Sequence, residues 1–138
     1  VILASGPGLS SRLLVQTHEL RNGCRGVVRR QLVLGFRRAF EDPNDCANRI
    51  VRDKLGLDMH FLTVVDDSAV HNVVHRWGNS PYFPGVDLEM QERTVMYMVT
   101  DPEHTAMRLF GLPLCTPFCT EVLELEDDHT LLWEWWDS

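Results

Sequence analysis

The sequence predicts a single α+β domain with one mixed or antiparallel sheet and flanking helices. The chain has 138 residues, the size of one domain with one hydrophobic core. Its content of 44% hydrophobic and 24% charged residues is typical of a globular protein. Helix-start signals alternate with short β-rich apolar runs. No apolar run is long enough to cross a bilayer, so we expect no membrane role.

The first eleven residues are interpreted as the end of a linker, because glycine, proline and serine are frequent among them. The domain is therefore placed at residues 12–138. The chain starts on Val1 rather than on Met, so we expect it to be a fragment of a longer protein. The apolar run from Arg12 to Gln16 predicts a first strand.

The stretch from Thr17 to Phe40 is interpreted as an amphipathic helix. Thr17 is a suitable N-cap, and Glu19 would lie in the first turn, where a carboxylate favours the helix dipole. At helical spacing this stretch forms an apolar stripe, and arginines point away from it. The predicted stripe consists of Val28, Leu32, Val33, Phe36, Ala39 and Phe40, and the arginine face consists of Arg30, Arg37 and Arg38.

A second helix is predicted from the capping residue Asp42 and Pro43 to Leu55, where Gly56 can adopt the left-handed conformation that ends a helix. The chain beyond it continues the alternation of strands and helices. The further predicted elements are a strand over 59–65, a helix over 68–77, a loop over 79–92, a strand over 93–99, a helix over 101–110 and a hairpin of strands over 120–126 and 130–136.

Charge is divided unevenly along the chain. Residues 1–54 contain ten basic and five acidic side chains, and residues 55–138 contain three basic and fifteen acidic ones, so the balances are +5 and −12. Such asymmetry indicates a surface for a polyanion in spite of the net charge of −7. Twelve of the thirteen basic residues are arginines, whose planar guanidinium groups suit phosphates and guanine edges.

The predicted contacts with DNA are the basic and polar side chains of the first two helices. They compete with a simpler interpretation, in which the same side chains form an ordinary solvated surface. The candidate residues are His18, Arg21, Asn22, Arg25, Arg30, Arg37, Arg38, Arg49 and Arg52.

The closing strand of the hairpin is apolar on both faces, which suggests burial against a partner as well as against the core. Leu131, Trp133 and Trp135 share one face, and Trp136 lies on the other. We therefore expect a homodimer that uses these four residues.

A metal site and an enzyme site are weaker alternatives. His71 with His75 and Cys115 with Cys119 are each four residues apart, which permits a His2Cys2 zinc site but is not diagnostic of one. No phosphate loop or nucleophile motif is present. A thiol hydrolase would use Cys24 or Cys46 with a histidine, but buried structural thiols are favoured. We therefore expect neither an enzyme nor a cofactor.

The sequence also resembles a known viral family. The run from His18 to Arg21 and the predicted arginine-bearing helix after it resemble the C-terminal domain of the betaherpesvirus major immediate-early transactivator, immediate-early protein two, in which a strand leads into a helix that starts with a His-Glu-apolar-basic sequence. The run from Arg93 to Leu114, RTVMYMVTDPEHTAMRLFGLPL, and the closing hairpin are similar in the order of their elements. Residues 43–90 do not share the resemblance.

The resemblance implies a dimeric DNA-binding domain with a barrel-like sheet core, similar to that of the gammaherpesvirus latency origin-binding proteins. It implies a transcription regulator in the host cell nucleus, with double-stranded DNA, a second copy and cellular transcription factors as partners. The family's histidines before the strand that resembles 93–99 have no counterpart in residues 79–92, so a zinc role is not carried over. The alternative hypothesis is a protein-interaction domain without direct DNA binding.

Overall fold

The computed structural model describes residues 1–6, 9–21, 24–65, 73–80, 83–122 and 129–138. Its single α-helix within these ranges is α1 (Pro43–Leu55), and two short 3₁₀ helices span Met59–Phe61 and Thr105–Phe110. The strands are β1 (Ile2–Gly6), β2 (Leu9–Arg21), β3 (Cys24–Gln31), β4 (Leu62–Val64), β5 (Val73–Asn79), β6 (Asp87–Arg93), β7 (Tyr97–Val99), β8 (Phe118–Val122) and β9 (His129–Asp137). The predicted α+β class is confirmed, with sheet predominating.

The long strand β2 is the centre of the main sheet. One of its edges pairs with β9 from Arg12 to Arg21, and β1 and β3 share the other edge. The strand order is β4-β7-β1-β2-β9-β8, with β3 attached to β2. Because β1 and β7 are parallel and the other pairs are antiparallel, the sheet is mixed, as predicted. Within the described ranges it does not close into a barrel, because β4 and β8 remain its two ends.

The predicted helix from Thr17 to Phe40 is wrong. Its first part lies in the antiparallel hairpin of β2 and β3, in which Arg21 pairs with Cys24. The sequence between them is Asn22-Gly23, the dipeptide typical of a two-residue hairpin turn, although both residues lie outside the described ranges. Pairing with β9 satisfies one backbone edge of β2 from Arg12 to Arg21, and glycines weaken the competing helix. A short apolar run is compatible with the periodicity of a helix or of a strand. Here, pairing with a neighbouring strand determines that it forms a strand.

Helix α1 begins and ends where the sequence predicts. The Asp42 side chain accepts a hydrogen bond from the Asn44 backbone N–H at 2.8 Å, and Gly56 has a φ of 66°. The helix buries Val51 and Leu55 in the core beneath it. At its C-terminal end the Thr120 hydroxyl of β8 donates to the Lys54 carbonyl at 2.6 Å, which fixes the helix to the sheet.

The core is built around the tryptophans of β9. Trp133 is completely buried, and its indole N–H donates to the Thr120 hydroxyl at 2.8 Å. Trp135 donates to the Phe110 carbonyl at 2.8 Å. Leu131 shares their face, as predicted, but all three side chains pack within one protomer. They are therefore not an exposed surface for a dimer, which corrects the expectation for these residues.

The middle of the chain differs most from its predicted elements. Of the helix predicted over 68–77, residues 68–72 lie outside the described ranges and residues 73–77 belong to strand β5. Of the loop predicted over 79–92, the part from Asp87 onward is strand β6, which pairs with β5 in a separate two-stranded sheet. Proline in this stretch favoured a loop, yet Pro84 precedes the strand and does not interrupt it.

The interpretation of residues 1–11 as a linker is wrong, because β1 lies there and buries Ile2 and Ala4 in the core.

The elements predicted after α1 and outside the middle of the chain occur in outline but are shorter. The strand predicted over 59–65 begins as a 3₁₀ helix before β4, and that over 93–99 is reduced to β7. The helix predicted over 101–110 is a 3₁₀ helix that ends at Gly111, where φ is 73°. The closing hairpin is formed by β8 and β9, with residues 123–128 outside the described part. No helix in the described part is long and apolar enough to cross a membrane.

Candidate nucleic-acid interface

Five consecutive residues between β3 and α1 expose both arginine and phenylalanine side chains. They are Phe36, Arg37, Arg38, Ala39 and Phe40, and we call them the Arg-Phe segment. All five are exposed: Phe36 at 81% and Phe40 at 105% of the reference area. Both rings were expected on the buried stripe of a helix, and that expectation is wrong because the segment is not helical.

Arg49 of α1 fastens both ends of the Arg-Phe segment. Its guanidinium group donates to both oxygens of the Glu41 carboxylate, from Nε to Oε2 at 2.8 Å and from Nη2 to Oε1 at 2.9 Å. The same Nη2 donates to the Phe36 carbonyl at 2.8 Å. Only 15% of each charged side chain is exposed, and forked pairing of this kind is geometrically specific. The predicted DNA contact of Arg49 is therefore corrected to a positioning role.

The Glu41 carboxylate also holds the turn at the end of the segment. It accepts a hydrogen bond from the Arg38 backbone N–H at 3.1 Å, and the Glu41 N–H donates to the Arg38 carbonyl at 3.2 Å. Hydrogen bonds from Arg49 and Arg38 lower the pKa of Glu41 to about 2. Because the folded-state pKa is lowered, this pair stabilises the fold above the ordinary carboxyl pKa and loses its effect as pH falls towards 2.

Two backbone features show how closely the segment is fitted to the helix. A Cβ atom added at Gly35 would lie 2.8 Å from the side chain of Ile50, so any other residue here would require the Ile50 side chain to shift. Phe40 has a φ of 61°, a left-handed conformation that is unfavourable for a bulky residue. Strained conformations persist where surrounding contacts impose them, and they concentrate at functional sites. The backbone is thus fixed while the residues of the segment remain exposed.

The other predicted DNA contacts are distributed over several elements. Arg30 on β3 is exposed and lies over the Trp136 ring, 4.8 Å from its centroid. Arg52 on α1 is 69% exposed. Arg21 bonds to the Glu19 carboxylate at 3.1 Å, so much of its charge is compensated within the protein.

Three further candidates add little to a common surface. The Nδ1 atom of His18 lies 3.1 Å from the Thr17 hydroxyl, within the sheet. Asn22 and the side chain of Arg25 lie outside the described part. The arginine surface predicted on two adjacent helices is therefore not formed. In its place, Arg37 and Arg38 lie in one loop that Arg49 holds against α1.

Within the described part of the chain, the weak metal candidates do not form a cluster. His75 lies 2.7 Å from a Glu89 carboxylate oxygen, and His71 is outside the described part. Cys115 and Cys119 have free thiols, and no group of three or more potential ligands occurs among the described residues. These residues give no indication of a zinc site.

The thiol proposed as a nucleophile is in an unsuitable place. Cys46 is buried beside the Glu41–Arg49 pair, and burial raises the pKa of its thiol, which disfavours the reactive thiolate. The side chain of Cys24 is outside the described part. The interpretation of Cys46 as a structural thiol agrees with its position.

Sequence reasoning found the arginines of this site but not the role of Phe36, Phe40 or Glu41. A usable signal was present, since Gly35 and the capping residue Asp42 bracket the segment and argue against a continuous helix. Comparison with protein-family models, with curated proteins and with solved structures finds no match for this chain. The class of protein must therefore be argued from the geometry.

Proposed function

We propose that this chain is a non-enzymatic nucleic-acid-binding domain and that the Arg-Phe segment is its principal contact surface. One observation carries the proposal. Two exposed phenylalanine rings flank two exposed arginines on a backbone that Arg49 fixes at both ends. Arginine suits phosphate, and aromatic rings suit bases, so the combination matches the two chemical parts of a nucleic acid.

The exposure of the Phe36 and Phe40 rings supports a binding partner, because removing these rings from water would be favourable. A phenylalanine side chain gains roughly 1.5–3 kcal/mol when it is removed from water. Single exposed apolar residues are common on protein surfaces. A pair at the ends of a fastened segment, with Phe40 in an unfavourable backbone conformation, is better explained by a binding role.

The charge distribution supports the same proposal. The N-terminal part of the chain, residues 1–54, has a balance of +5 and contains the segment, while the rest has a balance of −12. A local positive potential attracts a polyanion, and the acidic remainder disfavours attachment in other orientations. The net charge of −7 is therefore compatible with a nucleic-acid partner.

The more specific expectation is a viral transcription regulator that binds duplex DNA as a homodimer in the host cell nucleus. It rests on the resemblance to the herpesvirus transactivator domain. Because the arginine-bearing helix predicted over 17–40 is not formed and Arg49 of α1 is bonded within the protein, duplex binding would use the Arg-Phe segment together with the exposed Arg30 and Arg52. A second copy would have to complete the barrel-like core, for which the open sheet ends β4 and β8 are available.

A second candidate function is a protein-interaction domain without nucleic-acid binding. The observation that favours it is the hairpin of β5 and β6, which forms its own two-stranded sheet. Its exposed apolar side chains are Val74, Trp77, Leu88 and Met90. Exposed apolar surface of this kind is typical of protein interaction sites.

A gel-shift titration of the chain at about 50 mM and about 200 mM salt separates the two candidates. We expect binding that weakens steeply with salt, and Arg37→Ala should reduce the slope of log K against log salt by about one unit. The matched control is Arg108→Ala, an exposed arginine in the acidic part of the chain, which should leave the slope unchanged. Absence of salt-sensitive binding to any nucleic acid would reject the proposal and favour the protein-interaction domain.

A further inference from the structure

We infer that the Arg-Phe segment takes a single-stranded nucleic acid, with Phe36 and Phe40 each stacking on an unpaired base. This inference rests on the proposed function and adds the strand state of the ligand. Proteins that bind single strands combine a positively charged surface with aromatic side chains on which bases stack. The segment contains both within five residues.

The loop conformation of the segment does not suit insertion into the major groove of duplex DNA. The major groove of duplex DNA admits an α-helix or a two-stranded ribbon, whereas the exposed residues here lie in a loop between β3 and α1. In a duplex the faces of the bases are covered by their neighbours. A phenylalanine ring could reach such a face only by insertion, at a cost of a few kcal/mol for each unstacked step. In a single strand those faces are accessible.

The two rings are also close enough along the chain to contact one short stretch of a single strand. Their Cα atoms are four residues apart, so they are separated by at most about 14 Å even in an extended chain. Stacked nucleotides of one strand follow each other at about 3.4 Å. Phe36 and Phe40 would therefore contact bases within about four nucleotides of each other, and Arg37 between them would face the intervening phosphates.

The fixed backbone favours this mode of binding. Ordering a flexible loop on association reduces affinity, and a surface already held in its bound form avoids that loss. Here the two hydrogen bonds from Arg49 to Glu41 and the one to the Phe36 carbonyl hold both ends of the segment before any ligand arrives. The rings are accessible without rearrangement of the core.

Fluorescence anisotropy with labelled oligothymidine and oligouridine of about 16 nucleotides, and with a DNA duplex of the same length, tests the inference. We expect at least one single strand to bind more tightly than the duplex. Phe36→Leu and Phe40→Asn should each weaken single-strand binding by between about 5-fold and about 150-fold, the range of one lost base stack, without changing the salt slope. Asparagine is chosen because it tolerates the left-handed conformation of Phe40.

The control variant is Leu114→Ala, which removes an equally exposed apolar side chain outside the segment and should leave affinity unchanged. Circular dichroism verifies that each variant is folded, and Phe36→Leu alone decides if Phe40→Asn is not. Equal affinity for duplex and single strands, or no loss in the phenylalanine variants, would overturn the inference while leaving the proposed function intact. Failure to bind any of the three probes would instead reject the proposed function.

Discussion

The Arg-Phe segment and the β5–β6 hairpin both expose large apolar side chains, but they differ in how they are held and in charge. The segment is fastened to α1 by Arg49 and contains two arginines. The hairpin is held by pairing between its own two strands, and β6 is exposed along its whole length. His75 of β5 lies 2.7 Å from the Glu89 carboxylate of β6, on the surface. Apolar exposure alone therefore does not indicate a partner, and the proposal of a nucleic-acid partner depends on the fixed backbone and the neighbouring charge.

The charge of the hairpin makes the contrast stronger. Strand β6 contributes Asp87, Glu89 and Glu92 within seven residues, and Arg93 is its only basic residue. With Arg76 on β5, the two strands contain three acidic and two basic residues, so the hairpin offers a nucleic acid no net positive charge. The two regions are therefore suited to different partners, and substitutions in each should have separable effects.

The largest effect is expected from Arg49→Ala, which would remove the common anchor of both ends of the segment. The Glu41 carboxylate would lose its forked partner, and the Phe36 carbonyl would lose a donor. We expect faster tryptic cleavage after Arg37 or Arg38 together with a loss of nucleic-acid affinity of at least about tenfold, as ordering the loop would then oppose binding.

The control for this variant is Arg52→Ala on the same helix, where the arginine is mostly exposed. It removes the same charge without releasing the segment, so it should leave the cleavage rate unchanged. If both variants are cleaved at the wild-type rate, the anchor does not hold the segment and the contrast with the hairpin disappears.

An intermediate effect is expected from Gly35→Ala. The new methyl group would lie 2.8 Å from the Ile50 side chain, and overpacking of this kind costs roughly 1–3 kcal/mol of the free energy of unfolding. Urea denaturation measures the change. Combination with Ile50→Ala should restore part of the loss, because it removes the atoms that clash. A gain of about 0.4–1 kcal/mol, as at an unstrained glycine, would show that the segment is not closely fitted to α1.

The smallest effect is expected from Trp77→Ala in the hairpin. The side chain is 72% exposed, and such surface substitutions usually change stability by no more than about 0.5 kcal/mol. Nucleic-acid affinity should stay at the wild-type value in a gel shift. A clear loss of affinity would instead extend the binding surface to the hairpin and remove the separation between the two regions.

Local signals predicted the parts of the fold that local interactions determine. Helix α1 was predicted from Asp42, Pro43 and Gly56, and these residues cap and start the helix through contacts within a few positions. The stop at Gly111 was found in the same way. The strand over residues 12–16 was predicted, but its continuation from Thr17 to Arg21 was missed because the main partner of β2 is β9, more than a hundred residues further along the chain. No local pattern reports such a pairing.

The candidate site was likewise predicted only in part. Its arginines were apparent from composition, since charge is visible in the sequence. The exposure of Phe36 and Phe40 was not apparent, because an aromatic residue at helical spacing is more often buried. Arg49 was expected to contact DNA, and only its distances to Glu41 and Phe36 show that it acts within the protein.

The hydroxyl of Thr120 takes part in two hydrogen bonds, accepting one and donating the other. Trp133 in the deepest part of the core donates to it, and the hydroxyl in turn donates to the last turn of α1 at Lys54. A hydroxyl has a single proton, so both bonds can persist only in this orientation. Movement of α1 away from the sheet would leave the Thr120 hydroxyl without its acceptor, the Lys54 carbonyl. The helix that carries Arg49 is thus hydrogen-bonded through Thr120 to the core. The Arg-Phe segment that Arg49 holds is therefore attached to a rigid part of the protein.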